Sequence, residues 1–150
     1  MTRIRTMVVD DEPIARARVL SLLNEEADIE VVRECSSGAE AVSALSEISP
    51  DLVFLDVQMP EMDGFAVARA FEPDRMPAVV FVTAFDHYAL RAFEIQAADY
   101  LLKPFSSQRF KLALSHARDQ LAQRQASTLG RPLMALLPEL SRRPSPTRDR

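Results

Sequence analysis

The chain is poor in residues on which several kinds of function depend. Its 150 residues hold one cysteine, three glycines, two tyrosines and no tryptophan, and Lys103 and Lys111 are the only lysines among 18 basic residues. Cys35 alone forms neither an internal disulfide nor a metal cluster, which fits a reducing cytosol. With only Gly38, Gly64 and Gly130, no glycine-rich phosphate loop can be assembled, so P-loop and dinucleotide-binding readings fail. No apolar run nears the roughly 18 to 20 residues needed to cross a bilayer. The basic start, Met1-Thr2-Arg3-Ile4-Arg5-Thr6, reaches Asp10 and Asp11 too soon for a signal-peptide core. The expectation is a soluble, cytoplasmic protein with no membrane segment.

What the chain does have is enough apolar material for one core. It is 47% apolar and 27% charged, and its length suits a single domain on a prior of roughly 100 to 200 residues each. The net charge of −4 is unevenly distributed: residues 1–126 carry 13 basic and 20 acidic residues, a balance of −7, whereas residues 127–150 stand at +3. An acidic body argues against direct nucleic-acid binding, because phosphate contacts need a basic face.

Short β-rich runs alternate with helix-period segments five times, the pattern of β/α units on a parallel sheet. Strands are expected at Ile4–Val9, Ile29–Cys35, Leu52–Leu55, Ala78–Thr83 and Asp99–Leu102. The first helix opens near Pro13, with Ile14, Ala17, Leu20 and Leu23 expected inward. Ser37 and Glu40 have capping-box spacing ahead of a helix burying Ala41, Leu45 and Ile48. A short helix is expected near Phe65–Phe71, and Asp86 is a candidate cap for a helix carrying Leu90 and Phe93. Ser106 or Ser107 starts the last helix, with Phe110, Leu114, Ala117 and Leu121 inward. From Ser127 the composition shifts to four prolines and five arginines in 24 residues, read as a linker or tail after a 1–126 domain. The apolar patch Leu133, Met134, Leu136 and Leu137 leaves a short docking helix as the alternative.

In an open parallel sheet, ligands bind beyond the carboxyl ends of the strands, where strand order reverses. Those ends carry Asp10-Asp11-Glu12, Asp56, Thr83 and Lys103. A single strand-end aspartate is more commonly a cap or turn former than a ligand, but a pair at 10 and 11 exceeds what one cap needs. Crowded carboxylates repel and require a cation to stay ionised together. Oxygen ligands with open positions favour Mg²⁺, which also accepts phosphate oxygens. A carboxylate beside it can attack a phosphoryl group and form an aspartyl phosphate. Asp56, ending the most apolar strand, is the best nucleophile; Thr83 can donate a hydrogen bond, and Lys103 can offset developing negative charge. His87 and His116 lack a metal-ligand partner at suitable spacing and read as surface residues, and Cys35 reads as a small buried apolar residue.

In order and with family-like separations, MVVDDEP, FLDVQMPEMDG, VFVTAF and ADYLLKPF make residues 4–124 resemble the receiver domain of two-component response regulators. The stretch AFDHYALRAFEIQAADYLLKPF resembles more particularly receivers that precede a LytTR DNA-binding domain. The resemblance implies a doubly wound, flavodoxin-like sheet of order 2-1-3-4-5 with five helices. It implies that Asp56 accepts a phosphoryl group from phosphohistidine on a sensor histidine kinase. Asp11, Asp56 and the backbone carbonyl of Gln58 would bind Mg²⁺ directly, and Asp10 mainly through water. Thr83 and Lys103 would hold the phosphoryl oxygens, Tyr100 would be the switch aromatic, and the Lys103–Pro104 bond would be cis. Gln58 and Phe85 would tune hydrolysis, the first by orienting water and the second by restricting access.

Such a protein is no enzyme beyond its own phosphorylation and dephosphorylation. The face of the fourth helix, fifth strand and fifth helix would switch, and is an expected homodimer surface. Output would be transcription through a domain beyond Arg150, with a free-standing receiver acting by protein contacts as the alternative; residues 1–150 themselves are not expected to bind DNA. A haloacid-dehalogenase-like phosphatase would need a second aspartate where Gln58 stands.

Overall fold

Each of the five apolar runs becomes a strand of one sheet. The computed structural model describes residues 3–72, 75–85 and 89–136. Its elements run β1 (Ile4–Val9), α1 (Pro13–Leu23), β2 (Ile29–Cys35), α2 (Gly38–Ala44), β3 (Leu52–Asp56), α3 (Gly64–Arg69), β4 (Ala78–Thr83), α4 (Ala89–Glu94), β5 (Asp99–Leu102) and α5 (Ser107–Leu136). All strand pairs are parallel, in the order β2-β1-β3-β4-β5. Parallel neighbours need crossover connections, and the helices that supply them cover both faces of the sheet.

Side-chain alternation sorts the strands' apolar residues into two cores. Met7, Val9, Val53, Leu55, Val79 and Phe81 point to the face packed by α2, α3 and α4, through residues such as Ala41, Phe65 and Ala92. Val8, Leu52, Phe54, Val80 and Val82 point to the other face, under α1 and α5. There the Phe54 and Phe110 rings stack at 5.2 Å. The central strands β3 and β4 are buried along their whole length.

Four helices differ from expectation in detail. In α1 the buried residues are Val19, Leu22 and Leu23, while Ile14 is 87% exposed, Ala17 is exposed and Leu20 only partly covered. The helix carries two apolar stripes of similar spacing, and contact with the sheet selects the one containing Val19. α2 ends at Ala44, so Leu45 and Ile48 pack on the core from the turn that follows. At its start the Ser37 side chain accepts the Glu40 N–H at 3.1 Å, but Glu40 reaches back to the N–H of Ser36 rather than of Ser37. α3 starts at Gly64, capped by Asp63 through the N–H of Ala66, and ends at Arg69. Asp86, His87 and the side chains of Leu90 and Phe93 lie outside the described residues.

α5 opens on the Ser106 hydroxyl, which accepts the Arg109 N–H, and buries Phe110, Leu114 and Ala117 as its spacing predicts. It continues past Ser127, where the composition changes, so the first ten residues of the compositional tail, 127–136, are helical. The apolar patch's side chains and residues 137–150 lie outside the described residues. No helix among the described residues is long and apolar enough to cross a membrane.

Candidate functional site

Strand order reverses between β1 and β3, which emerge side by side, Val9 registered against Leu55. Asp10 therefore leaves β1 beside Asp56, the last residue of β3. β4 and β5 complete the edge: Thr83 ends β4, and Lys103 follows β5 with its N–H donated to the Thr83 carbonyl at 2.8 Å. The Lys103–Pro104 peptide bond is cis.

The carboxylates of Asp10, Asp11 and Asp56 each place one oxygen within 4.8 Å of the other two. Asp10 and Asp56 are almost wholly buried, and Thr83 is fully buried. Lys103 reaches into this cluster, its Nζ 3.1 Å from Asp10 Oδ2 and 3.5 Å from Asp56 Oδ2. A third carboxylate, Glu12 Oε1, lies closer still, at 2.7 Å. Backbone donors orient the acids: Asp56 Oδ1 accepts the Gln58 N–H at 3.1 Å, and Asp10 Oδ1 accepts the Glu12 N–H at 2.9 Å.

One ammonium does not balance this charge. Burial, reinforced by the negative Asp10, pushes the Asp56 carboxyl up to about 7 against the opposing pull of Lys103 and the Gln58 N–H. Burial would pull Lys103 down, but hydrogen bonding to Glu12, with Asp56 and Asp10 behind it, more than compensates and raises it. An oxygen-only cluster whose central carboxylate cannot comfortably ionise at neutral pH is chemically suited to a hard divalent cation. Asp10, Asp11 and Asp56 could hold it.

Thr83 Oγ1 accepts the Phe85 N–H at 3.3 Å, a bond that does not use the hydroxyl's own hydrogen. The Tyr100 hydroxyl donates to the Phe85 carbonyl and so ties β5 to the loop after β4. Phe85 is 42% exposed, and Gln58 stands exposed beside the cluster. Gly64 packs so tightly that a methyl group there would collide with the Asp56 carbonyl oxygen; only a glycine lets α3 start this close to the acidic strand end.

Asp10, Asp11, Asp56, Thr83 and Lys103 thus share one edge, with Gln58, Phe85 and Tyr100 around it. Two participants were given no role from the sequence. Glu12 stands there only as the third acid of the strand-end run Asp10-Asp11-Glu12, and its pairing with Lys103 spans 91 positions. Gly64 reads as a turn residue. Cys35 is buried, its thiol pushed up to about 11 by desolvation. His116 is exposed, with Nδ1 2.8 Å from Asp99 Oδ2.

Residues 6–115 match the family described as Response regulator receiver domain. An uncharacterized response regulatory protein of Yersinia pestis is 44% identical over 136 residues, 90% of this chain and 57% of the relative. The transcriptional regulatory protein BtsR of Escherichia coli (strain K12) is 42% identical over 126 residues, 84% of this chain and 53% of BtsR. The chain thus spans about half the length of these curated relatives. Among solved structures, the response regulatory domain of mrkE from Klebsiella pneumoniae superimposes with a TM-score of 0.73 at 30% identity, over 79% of this chain and 98% of that one.

Proposed function

Because the chain belongs to the response regulator receiver family of two-component systems, we propose that it takes a phosphoryl group onto Asp56 from the phosphohistidine of a sensor kinase. The observation that carries this reading is Asp56 itself: a buried strand-end carboxylate between Asp10 and Lys103, raised to about 7 and held by the N–H of Gln58. Transfer forms an Asp56 oxygen–phosphorus bond and breaks the donor's nitrogen–phosphorus bond, the imidazole leaving with a proton from solvent. Lys103 lies within reach of an oxygen on that phosphorus, and Thr83 can turn its hydroxyl hydrogen toward another. Asp11, Asp56 and the Gln58 carbonyl would hold Mg²⁺ directly and Asp10 through water; the bound ion would neutralise charge on the phosphoryl oxygens. Gln58 would orient the water that later hydrolyses the acyl phosphate, and Phe85 would restrict its access.

The switch runs through Tyr100, whose hydroxyl contact with Phe85 joins β5 to the loop after the Thr83 strand. If Thr83 moves to the phosphoryl group, the loop and tyrosine rearrange together. The affected face, α4, β5 and α5, presents exposed Leu102 and Leu112 and a groove of about 380 Å³ lined by Ala89, Tyr100, Pro104, Phe105 and Arg109. This is the surface we assign to homodimerisation. Residues 1–126 form the receiver and residues 127–150 the linker to an output domain. The name and length of BtsR favour a transcriptional output, and the resemblance of the segment through Tyr100 favours a LytTR DNA-binding domain. A free-standing receiver is the second reading, and the downstream reading frame separates the two. The protein acts in the cytoplasm and catalyses only its own phosphorylation and dephosphorylation.

The test is incubation with Mg²⁺ and a small acyl phosphate or phosphoramidate, followed by mass measurement. The wild-type chain is expected to gain one phosphoryl mass and Asp56→Ala none; a gain that survives in the variant moves the acceptor elsewhere.

A further inference from the structure

Lys103 does not make its shortest contact with the carboxylate it serves. Its three N–H donors face three acids, and the distances lengthen from the rim inward: 2.7 Å to Glu12, 3.1 Å to Asp10 and 3.5 Å to Asp56. Glu12 is also the most exposed of the three, with 62% of its side chain open, against 3% and 4% for the two aspartates. Its position would ordinarily give it a different task. It is the N-cap residue of α1, where a side-chain oxygen commonly accepts a helix N–H, yet its side chain makes no such bond. Its backbone N–H is anchored instead by Asp10 Oδ1, which presents the carboxylate to Lys103 across the mouth of the site.

A phosphoryl group on Asp56 adds roughly 1.5 to 2 negative charges and three strong acceptors. It competes for the same ammonium, and Glu12 is the partner solvent can most readily take over. We propose that Glu12 is a positioning residue, holding the Lys103 ammonium at the rim in the unphosphorylated protein and yielding it to the phosphoryl group. The pair links the loop before α1 to the loop after β5, where Asp10 makes a second contact with the same ammonium at 3.1 Å, so release of Glu12 removes one of two ties between these loops. The inference rests on the reading of Asp56 as phosphoacceptor.

Two variants test it: Glu12→Gln removes the charge, and Glu12→Asp keeps the charge but withdraws the carboxylate by one methylene. The rate of phosphoryl mass gain is measured with acetyl phosphate at saturating Mg²⁺. The Lys103 ammonium resonance is followed by ¹⁵N NMR in the metal-free protein. Both variants are expected to label about three- to fivefold faster, the ratio to which a pair worth about 0.6–1 kcal/mol corresponds, and to shift the resonance. Wild-type labelling at Asp56 with unchanged or slower rates in the variants overturns the role of Glu12 and leaves the acceptor standing. Faster labelling in Glu12→Gln alone means that net charge, not the contact, is responsible, and overturns it too, as does an unmoved resonance. No labelling of wild type at Asp56 removes both proposals.

Discussion

Asp56 and Asp99 lie on the same sheet, each beside a cation, and are driven in opposite directions. Asp99 opens β5, and burial alone would raise its carboxyl. Both Arg109 nitrogens at 2.9 and 2.8 Å, the Tyr100 N–H and the His116 ring outweigh that burial and lower it. Asp56 closes β3 with a second aspartate beside it, one backbone donor, and a lysine that leans toward Glu12. Burial therefore wins, and the carboxyl rises to about 7. A buried acid supplied with a full set of donors is a structural tie between β5 and α5. One left short of donors and crowded by its own sign is chemically suited to a cation, which is the basis on which Asp56 is proposed as the phosphoacceptor.

The largest expected effect is on the chemistry. Asp56→Asn should abolish phosphoryl incorporation, while Asp99→Asn should leave it measurable; the mass assay above reads both, and the opposite pattern would invert the comparison. Stability should divide the other way. Asp99→Asn leaves the Arg109 guanidinium without its two-oxygen partner, which we expect to cost about 2 kcal/mol at pH 7 by urea unfolding. Because the folded-state Asp99 is shifted down, its contribution is present above the ordinary carboxylate range near 4 and disappears as pH falls through the lowered value. The gap between wild type and Asp99→Asn should therefore close in acid.

For Asp56 the sign reverses. The folded protein holds the proton more tightly than the unfolded chain, so in metal-free protein this group's contribution weakens as pH rises from about 4 through about 7. Asp56→Asn should then be the more stable protein at pH 8, by about 1–2 kcal/mol, and nearly equal to wild type at pH 4. Mg²⁺ should raise the pH 8 melting temperature of wild type by mass action, and that of the variant less. Thermal melts at the two pH values, with and without chelator, check each statement. A variant less stable than wild type at pH 8 would show that Asp56 is better served by its neighbours than its surroundings indicate.

The contrast also explains which features were legible in the sequence. The five strands, their class and the chemistry-bearing ends could be read because each depends on a local pattern: an apolar run, then one polar residue where the strand stops. Asp10, Asp11, Asp56, Thr83 and Lys103 are of that kind. The inward face of α1 was legible only in part: Leu23 is buried as expected and Leu20 partly so, but Ile14 and Ala17 are exposed, because Val19 and Leu22 also sit at helical spacing with Leu23 and only the sheet chooses between the two stripes. The run of α5 through Leu136 was hidden by composition, which marks a change of character at Ser127 without specifying backbone conformation. The tie around Asp99 gathers residues 10 and 17 positions away, and the Glu12–Lys103 pair spans nearly the whole domain, so neither leaves a local trace.

The smallest effect sharpens the comparison most. His116 gives Asp99 one more contact, from an exposed ring on α5. Asp99 already receives two guanidinium N–H groups and a backbone N–H, and Arg109 also reaches the Tyr100 carbonyl at 3.2 Å. Removing one solvent-accessible donor from a carboxylate so well supplied should matter little. His116→Gln is expected to change unfolding stability by less than about 0.5 kcal/mol at pH 7, within the range of exposed pairs. A loss near that of Asp99→Asn would mean that the donors around Asp99 are cooperative rather than redundant, and that the aspartate sits closer to the condition of Asp56 than its contacts imply. A null result would confirm that at one edge of the sheet donors are in excess, which is what makes their scarcity at the other edge chemically informative.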